Sequence, residues 1–204
     1  MPTASTSPAT TILAGTEVAL RPQPGAGTYG VTGATLTGEV RGGSRTPTGT
    51  ITVKAGTTVL GTTTLSGGRY SLTLGTNALV AGNRALTVAY GGDARHHPTT
   101  APTTALISRG AATTTVTVTP AKPRVGTRAV ASVRVTAKGT VPPGHVRIQL
   151  NGRTIATARL DASGRATVTL PAFGSKGRKG IRAYYVGSNK VAPAYSATTI
   201  LVVR

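Results

Sequence analysis

Pro47-Thr48-Gly49-Thr50-Ile51-Thr52-Val53 returns about 95 residues later as Pro142-Pro143-Gly144-His145-Val146-Arg147-Ile148. With the same offset, Ala89-Tyr90-Gly91-Gly92-Asp93 followed by Pro98 returns as Tyr184-Tyr185-Val186-Gly187-Ser188 followed by Pro193. That period is too long for a solenoid unit of roughly 20 to 50 residues and matches the roughly 100 residues of a small β-sandwich. The 204 residues are therefore two copies of one module, each long enough to bury a core without disulfide or metal staples.

Alternation of apolar and polar residues, broken by turn residues, predicts seven short strands in each copy. They run over 17–22, 34–41, 48–55, 57–65, 69–74, 84–90 and 103–108 in the first copy, and over 114–119, 128–136, 144–150, 153–160, 165–170, 179–186 and 196–203 in the second. The breakers suit their places: Ala55-Gly56 and Asn151-Gly152, then Gly67-Gly68 and Ser163-Gly164, lie between successive strands where a tight hairpin needs positive φ. No run has a capped helical period, so no helix beyond a turn is expected. Alternation points Ala34, Leu36, Val40, Ile51, Val53, Leu72, Leu74, Leu86, Val88 and Tyr90 inward. The repeat matches them with Ala131, Val133, Val135, Val146, Ile148, Val168, Leu170, Ile181, Ala183 and Tyr185. The expected fold is all-β, two tandem two-sheet antiparallel sandwiches, with Tyr90 and Tyr185 as corner tyrosines whose hydroxyls reach a backbone partner.

The run from Thr48 to Val53, through Leu60-Gly61-Thr62 and Leu65-Ser66-Gly67-Gly68, to Leu86-Thr87-Val88-Ala89-Tyr90-Gly91-Gly92-Asp93 and Pro98, resembles the bacterial immunoglobulin-like repeat domain. The second copy keeps Val146-Arg147-Ile148-Gln149-Leu150-Asn151-Gly152 and Ala183-Tyr184-Tyr185-Val186-Gly187-Ser188, with Ser188 where the first has Asp93. The resemblance implies two seven-stranded immunoglobulin-like sandwiches over 16–109 and 112–204, joined by a link short enough to restrict swing, behind a flexible Pro/Ser/Thr-rich arm at 1–15. It also implies a tandem surface or secreted protein, or a component of a tailed-phage particle, with no shared catalytic site, and a turn role for Asp93.

Composition removes most chemistry. There is no Cys, hence no disulfide, thiolate nucleophile or Cys-ligated metal. The four acidic residues include one, Asp161, in the second copy, so paired-carboxylate hydrolysis has no partners there, and Glu17 and Glu39 fall on separate strands. Asp93, His96 and His97 form the densest set of ligand types but lack an evident fourth member, and no Gly-x-Ser-x-Gly elbow accompanies the three histidines. No enzyme activity, cofactor or metal is expected. No apolar run approaches the roughly 20 residues of a membrane span, and the first fifteen residues lack the basic start and apolar stretch of a signal peptide. The chain is accordingly expected to be part of a larger polypeptide or assembly, at the cell surface or, alternatively, on a virion.

Charge is where the copies part. Up to Ser108 seven Lys/Arg face three acids, a net +4; from Arg109 sixteen face Asp161 alone, a net +15. Such a field attracts polyanions and weakens with salt. On the expected strand order Arg147 and Arg182 share a sheet and point outward with Tyr184 and Gln149, and Lys176, Arg178 and Lys179 precede them in a loop. This candidate face suits phosphate, sulfate or uronate groups on an anionic polymer, a glycan or an acidic protein surface. Nucleic acid would be held without sequence reading, since stacking readers use several aromatics and one is well placed here. An accessory carbohydrate-binding role would call for more exposed aromatics on one face.

Overall fold

The computed structural model describes residues 16–204, and the expected arm at 1–15 lies outside the described residues. In the first half the strands are β1 (Ala19–Pro22), β2 (Gly25–Thr28), β3 (Thr35–Arg41), β4 (Thr50–Ala55), β5 (Thr58–Thr64), β6 (Arg69–Thr73), β7 (Gly82–Tyr90) and β8 (Thr99–Ser108). They form a three-stranded sheet, β1-β3-β6, and a five-stranded one, β2-β8-β7-β4-β5. The second half has β9 (Ala112–Thr119), β10 (Val130–Ala137), β11 (His145–Leu150), β12 (Arg153–Arg159), β13 (Arg165–Thr169), β14 (Gly177–Tyr185), β15 (Ala194–Tyr195) and β16 (Thr199–Val203). Its sheets are β13-β10-β9 and β12-β11-β14, the latter extended along β14 by both β15 and β16. No helix occurs among the described residues.

Each half therefore has eight strand segments where alternation predicts seven, and the extra one arises differently in each. In the first half Gln23 makes its backbone bond to Thr37 and Pro24, lacking an N–H, ends the ladder. The chain then joins the other sheet beside β8 as β2. In the second half the last strand is interrupted at Ser196, whose Oγ accepts from the Ala183 N–H at 2.9 Å while its own N–H donates to the Ala183 carbonyl. A side chain thus takes a ladder acceptor's place, and the expected strand at 196–203 starts only at Thr199 as β16, with the unexpected two-residue β15 standing before Ser196.

The inward residues are buried as alternation predicts, with one exception that is the same in both halves. Leu72 on β6 and Val168 on β13 occupy equivalent positions and are only half-buried. The copies fill one core position by opposite means: Gly38 on β3 lies under the Tyr70 ring, close enough that an added Cβ would come within 2.7 Å of it. The equivalent pair in the second half is Val133 opposite Ala166, with the bulk on the other strand. Both solutions keep the interior filled, as close-packed cores require. The Tyr70 hydroxyl is buried without a hydrogen-bond partner among the described residues, and burial pushes its pKa up to about 12.

The corner tyrosines take the expected role. Tyr90 Oη donates to the Thr48 carbonyl at 2.6 Å, and Tyr185 Oη donates to the Pro143 carbonyl at 2.8 Å. Each ties the end of the strand before the Gly-Asp or Gly-Ser turn to the segment entering β4 or β11, so the outer face of β11 and β14 rests on a fixed frame.

Candidate polyanion-binding face

β11 and β14 pair with Arg147 opposite Tyr184 and Gln149 opposite Arg182. Val146, Ile148, Ile181, Ala183 and Tyr185 alternate with them and are buried, so those four side chains stand on the outer face. β15 continues the row, placing Tyr195 opposite Tyr184, and β12 begins it, with Thr157 opposite Arg147. Across four strands the outer face thus reads Thr157, Arg147, Tyr184, Tyr195.

The side chains in this row are organised. Tyr184 and Tyr195 stack with ring centroids 4.5 Å apart and planes 29° from parallel. The Arg182 guanidinium carbon lies 4.2 Å from the Tyr195 centroid, and its Nε donates to Gln149 Oε1 at 2.8 Å. A guanidinium held by an aromatic face and an amide loses little further freedom on meeting an anion. Arg147 is exposed beside Tyr184.

Of the other basic residues singled out from the sequence, Arg178 belongs to β14 rather than to the preceding loop. It shares the phase of Arg182 and Tyr184 and is exposed opposite Val202. Lys179 also belongs to β14 but has the opposite phase, opposite buried Leu201, and its ammonium donates to Ser175 Oγ at 2.8 Å. It is turned away from the outer face. Lys176 is exposed just before the strand. Arg147, Arg178 and Arg182 therefore share one face with Tyr184.

Tyr195 is the member that alternation does not reveal. It sits on a two-residue strand between Pro193 and the Ser196 interruption, too short for a period to register, yet it is 53% exposed and completes the aromatic pair. The signal available in the sequence was its place two residues after the repeat-matched Pro193.

Among the described residues no carboxylate pairs with a cation of this face. Asp161, the second half's one acid, is held in the turn after β12, where its Oδ1 accepts from the N–H groups of Ser163 and Arg165 and from Ser163 Oγ. Those bonds, the Arg165 N–H foremost, hold its carboxyl below the usual range. Among the described residues the ion pairs all lie in the first half.

The first half supplies an internal comparison. In its register Thr52 stands opposite Ala89 and Lys54 opposite Thr87, so Thr52, Ala89 and Thr87 occupy the places of Arg147, Tyr184 and Arg182. Counting from the matched prolines, Thr100 takes the place of Tyr195. The same backbone thus carries Thr52, Ala89 and Thr87 with one cation, Lys54, in one copy, and an arginine-tyrosine lattice with neutral Gln149 at the place of Lys54 in the other.

Asp93, the other residue set considered from the sequence, closes a turn. Its carboxylate accepts from the Thr48 N–H and Oγ1 and from the N–H groups of Arg95 and His96, and the buried His96 Nδ1 lies 2.9 Å from both oxygens. The Thr48 N–H, then His96 and the Arg95 N–H, hold the carboxyl far below the usual range. Ser188 does the same work in the second half, its Oγ accepting from the N–H groups of Lys190 and Val191. Among the described residues no group of three or more His, Cys, Asp or Glu could hold a metal ion.

The family model of the bacterial Ig-like domain (group 3) matches this chain twice, over residues 4–108 and 109–204. No curated protein matches it. Among solved structures, the chain is similar to a tetra-tandem repeat in the extending region of a large adhesion protein, at 16% identity and TM-score 0.57, over 93% of this chain and 49% of that one. It is also similar to the adhesin InvE of Yersinia pseudotuberculosis, at 18% identity and TM-score 0.50, over 92% of this chain and 58% of that one. At those identities the likeness is one of fold, and the chain spans about half the length of each.

Proposed function

The chain belongs to the bacterial Ig-like domain (group 3) family in two tandem copies, and from that premise we propose that it is a non-enzymatic pair of surface modules in which the first acts as spacer and the second binds an anionic polymer. The observation that carries the reading is the contrast between equivalent faces: Thr52, Thr87, Ala89 and a single cation, Lys54, in the first module, and Arg147, Arg182, Tyr184 and Gln149 in the second. Core and turn residues keep both copies folded, so folding does not account for the exchange at these outward positions. Three arginines on a face without a carboxylate draw in a negatively charged chain and hold it in proportion to the counterions released. The fold likeness to adhesin repeats supports placing the modules on a bacterial cell surface, within a longer protein that displays them.

Retention of the full chain on heparin-agarose tests the binding. Arg147→Thr with Arg182→Thr installs the residues the first module already carries in this fold, so the variant keeps the sandwich. It should elute at lower salt, with the slope of log affinity against log salt shallower by about one to two units, since each contact to an anion contributes roughly 0.7 to 0.9 on nucleic acids. Retention unchanged by that pair of substitutions would leave only diffuse charge and sink the assignment of the face. Surface placement is checked by adding protease to intact cells: the native protein should be cut, and full protection refutes it.

A further inference from the structure

We propose that the polymer this face takes is an acidic saccharide, its sugar backbone packing on the exposed aromatic surface of the Tyr184–Tyr195 pair while its carboxylates pair with Arg182 and Arg147. The inference rests on the polyanion reading above and narrows it to a ligand class. A surface that merely attracts charge needs cations and nothing else; this one adds two rings stacked at 4.5 Å, one of them 53% exposed, at positions where the first module folds with Ala89 and Thr100. Those rings are not required by the sandwich. The aromatic surface the stack leaves exposed offers the C–H groups of a pyranose an apolar patch to pack on, and polyphosphate chains have no such groups.

The cations are arranged to match. Arg182 is anchored through Nε to Gln149 and lies over the Tyr195 ring, which leaves its two terminal nitrogens, without a hydrogen bond among the described residues, as a planar donor pair for a carboxylate. Arg147 stands on the other side of Tyr184 in the same cross-strand row. From Arg147 to Tyr195 the row spans two strand spacings, about 10 Å, the scale of a disaccharide. Thr157 and Gln149 border it with groups that hydrogen-bond hydroxyls. Cation, ring, ring and a second cation over the second ring make an alternation suited to a chain in which acid groups recur along a sugar backbone.

The test uses the full chain and three variants: Tyr184→Ala with Tyr195→Thr, Arg147→Thr with Arg182→Thr, and Tyr184→Phe with Tyr195→Phe. Each is titrated with polygalacturonate and with inorganic polyphosphate of matched charge. The protein has no Trp and six Tyr, so the part of the tyrosine fluorescence change that is lost in the Tyr184→Ala with Tyr195→Thr variant reports contact at these rings. Expected are a loss of about tenfold in polygalacturonate affinity when both rings are removed, with polyphosphate affinity within about twofold, and retention of both by the Phe pair. Binding of polygalacturonate unchanged by loss of the rings, or loss of both polymers alike, overturns the saccharide assignment. In either case weaker polyphosphate binding by the arginine variant leaves the polyanion reading standing. Failure of the native chain to bind either polymer overturns both. Tyr195→Thr alone, on a two-residue strand, provides the same comparison if the double variant misfolds, its fold being checked by circular dichroism.

Discussion

Removing a tyrosine hydroxyl should stabilise this protein at one position and destabilise it at two others. Tyr70 buries its hydroxyl without a partner among the described residues, so Tyr70→Phe deletes a polar group that has left water for nothing. Such groups cost about 1–3 kcal/mol, and a gain of about 1 kcal/mol is expected because the cavity left is small. Tyr90 and Tyr185 instead donate at 2.6 and 2.8 Å to the Thr48 and Pro143 carbonyls, so Phe there loses a bond and strands an acceptor, for about 1 kcal/mol or somewhat more. In a domain of this size about 1 kcal/mol moves the melting transition by about 4–8 °C. Calorimetry of the full chain, with hydrogen exchange on peptides from each half assigning the transitions, should show the first-half transition rise in Tyr70→Phe and fall in Tyr90→Phe, and the second-half one fall in Tyr185→Phe. The same tyrosines set an alkaline limit. Burial pushes Tyr70 and Tyr90 up to about 12, Tyr90 with help from the Asp93 carboxylate. The unfolded chain therefore gives up these protons near pH 10 while the folded one keeps them. Stability from the two is complete below pH 10 and lost as pH rises through 12, so the first half should unfold across that window. A Tyr70→Phe variant less stable than the parent would mean the hydroxyl does have a partner, and the reasoning from its isolation fails.

Three further outcomes are expected. Gly49→Ala and Gly144→Ala both place a side chain at positive φ, 102° and 110°, but an added Cβ would lie 2.5 Å from the Gly92 carbonyl oxygen in the first case and 3.5 Å from that of Gly187 in the second. Chemical denaturation should show both destabilised by about 1–3 kcal/mol, Gly49→Ala the more severely, and equal losses would count against the close approach. Asp93 is held ionised in the folded state, so it stabilises above the ordinary carboxylate range and that contribution fades as pH falls below about 4. Asp93→Asn should lower the first-half melting temperature at pH 7 and flatten its fall in acid, and a parallel curve excludes the turn as the cause. Transplanting the lattice onto the first module, with Thr52→Arg, Lys54→Gln, Thr87→Arg, Ala89→Tyr and Thr100→Tyr, should raise the salt needed to elute the chain from heparin; no change would mean the second module's field, not its face, does the binding.

The fold was legible because its determinants are local and repeated. Alternation over residues such as Ile51 and Val53, or Val146 and Ile148, assigns a face without any knowledge of partners, and the second copy checks the first. Leu72 and Val168 escaped because they face inward on a three-stranded sheet near an open edge, where phase alone does not decide depth. The strand switch at Pro24 and the split at Ser196 escaped because each depends on which ladder partner is at hand, a tertiary matter. On the candidate face, Arg147, Gln149, Arg182 and Tyr184 were legible by phase, whereas Arg178 was left in the loop for want of a strand start at Gly177, and Lys179 was grouped with that loop although its phase with Ile181 turns it inward. Tyr195 was invisible in a two-residue strand. Its value lies in standing opposite Tyr184, which no spacing along the chain expresses.

The two copies also explain how such a face could arise without cost to folding. Positions 52, 87 and 89, and their equivalents 147, 182 and 184, alternate with residues that are fully buried in both halves. Their side chains leave the sheet on the side away from the core, so exchanging threonine and alanine for arginine and tyrosine changes neither the volume between the sheets nor the register of β11 on β14. One core change is compensated within a pair, Gly38 and Tyr70 against Val133 and Ala166. On the outer face the exchanges at 52/147, 87/182, 89/184 and 100/195 add two cations and two rings, while Lys54 gives way to Gln149, which anchors Arg182. A solubility drift would scatter lysines and glutamates of both signs over the surface. Arginines registered against stacked tyrosines, with the module's single acid held in a distant hairpin turn, are what a ligand with charge and a flat apolar face would select.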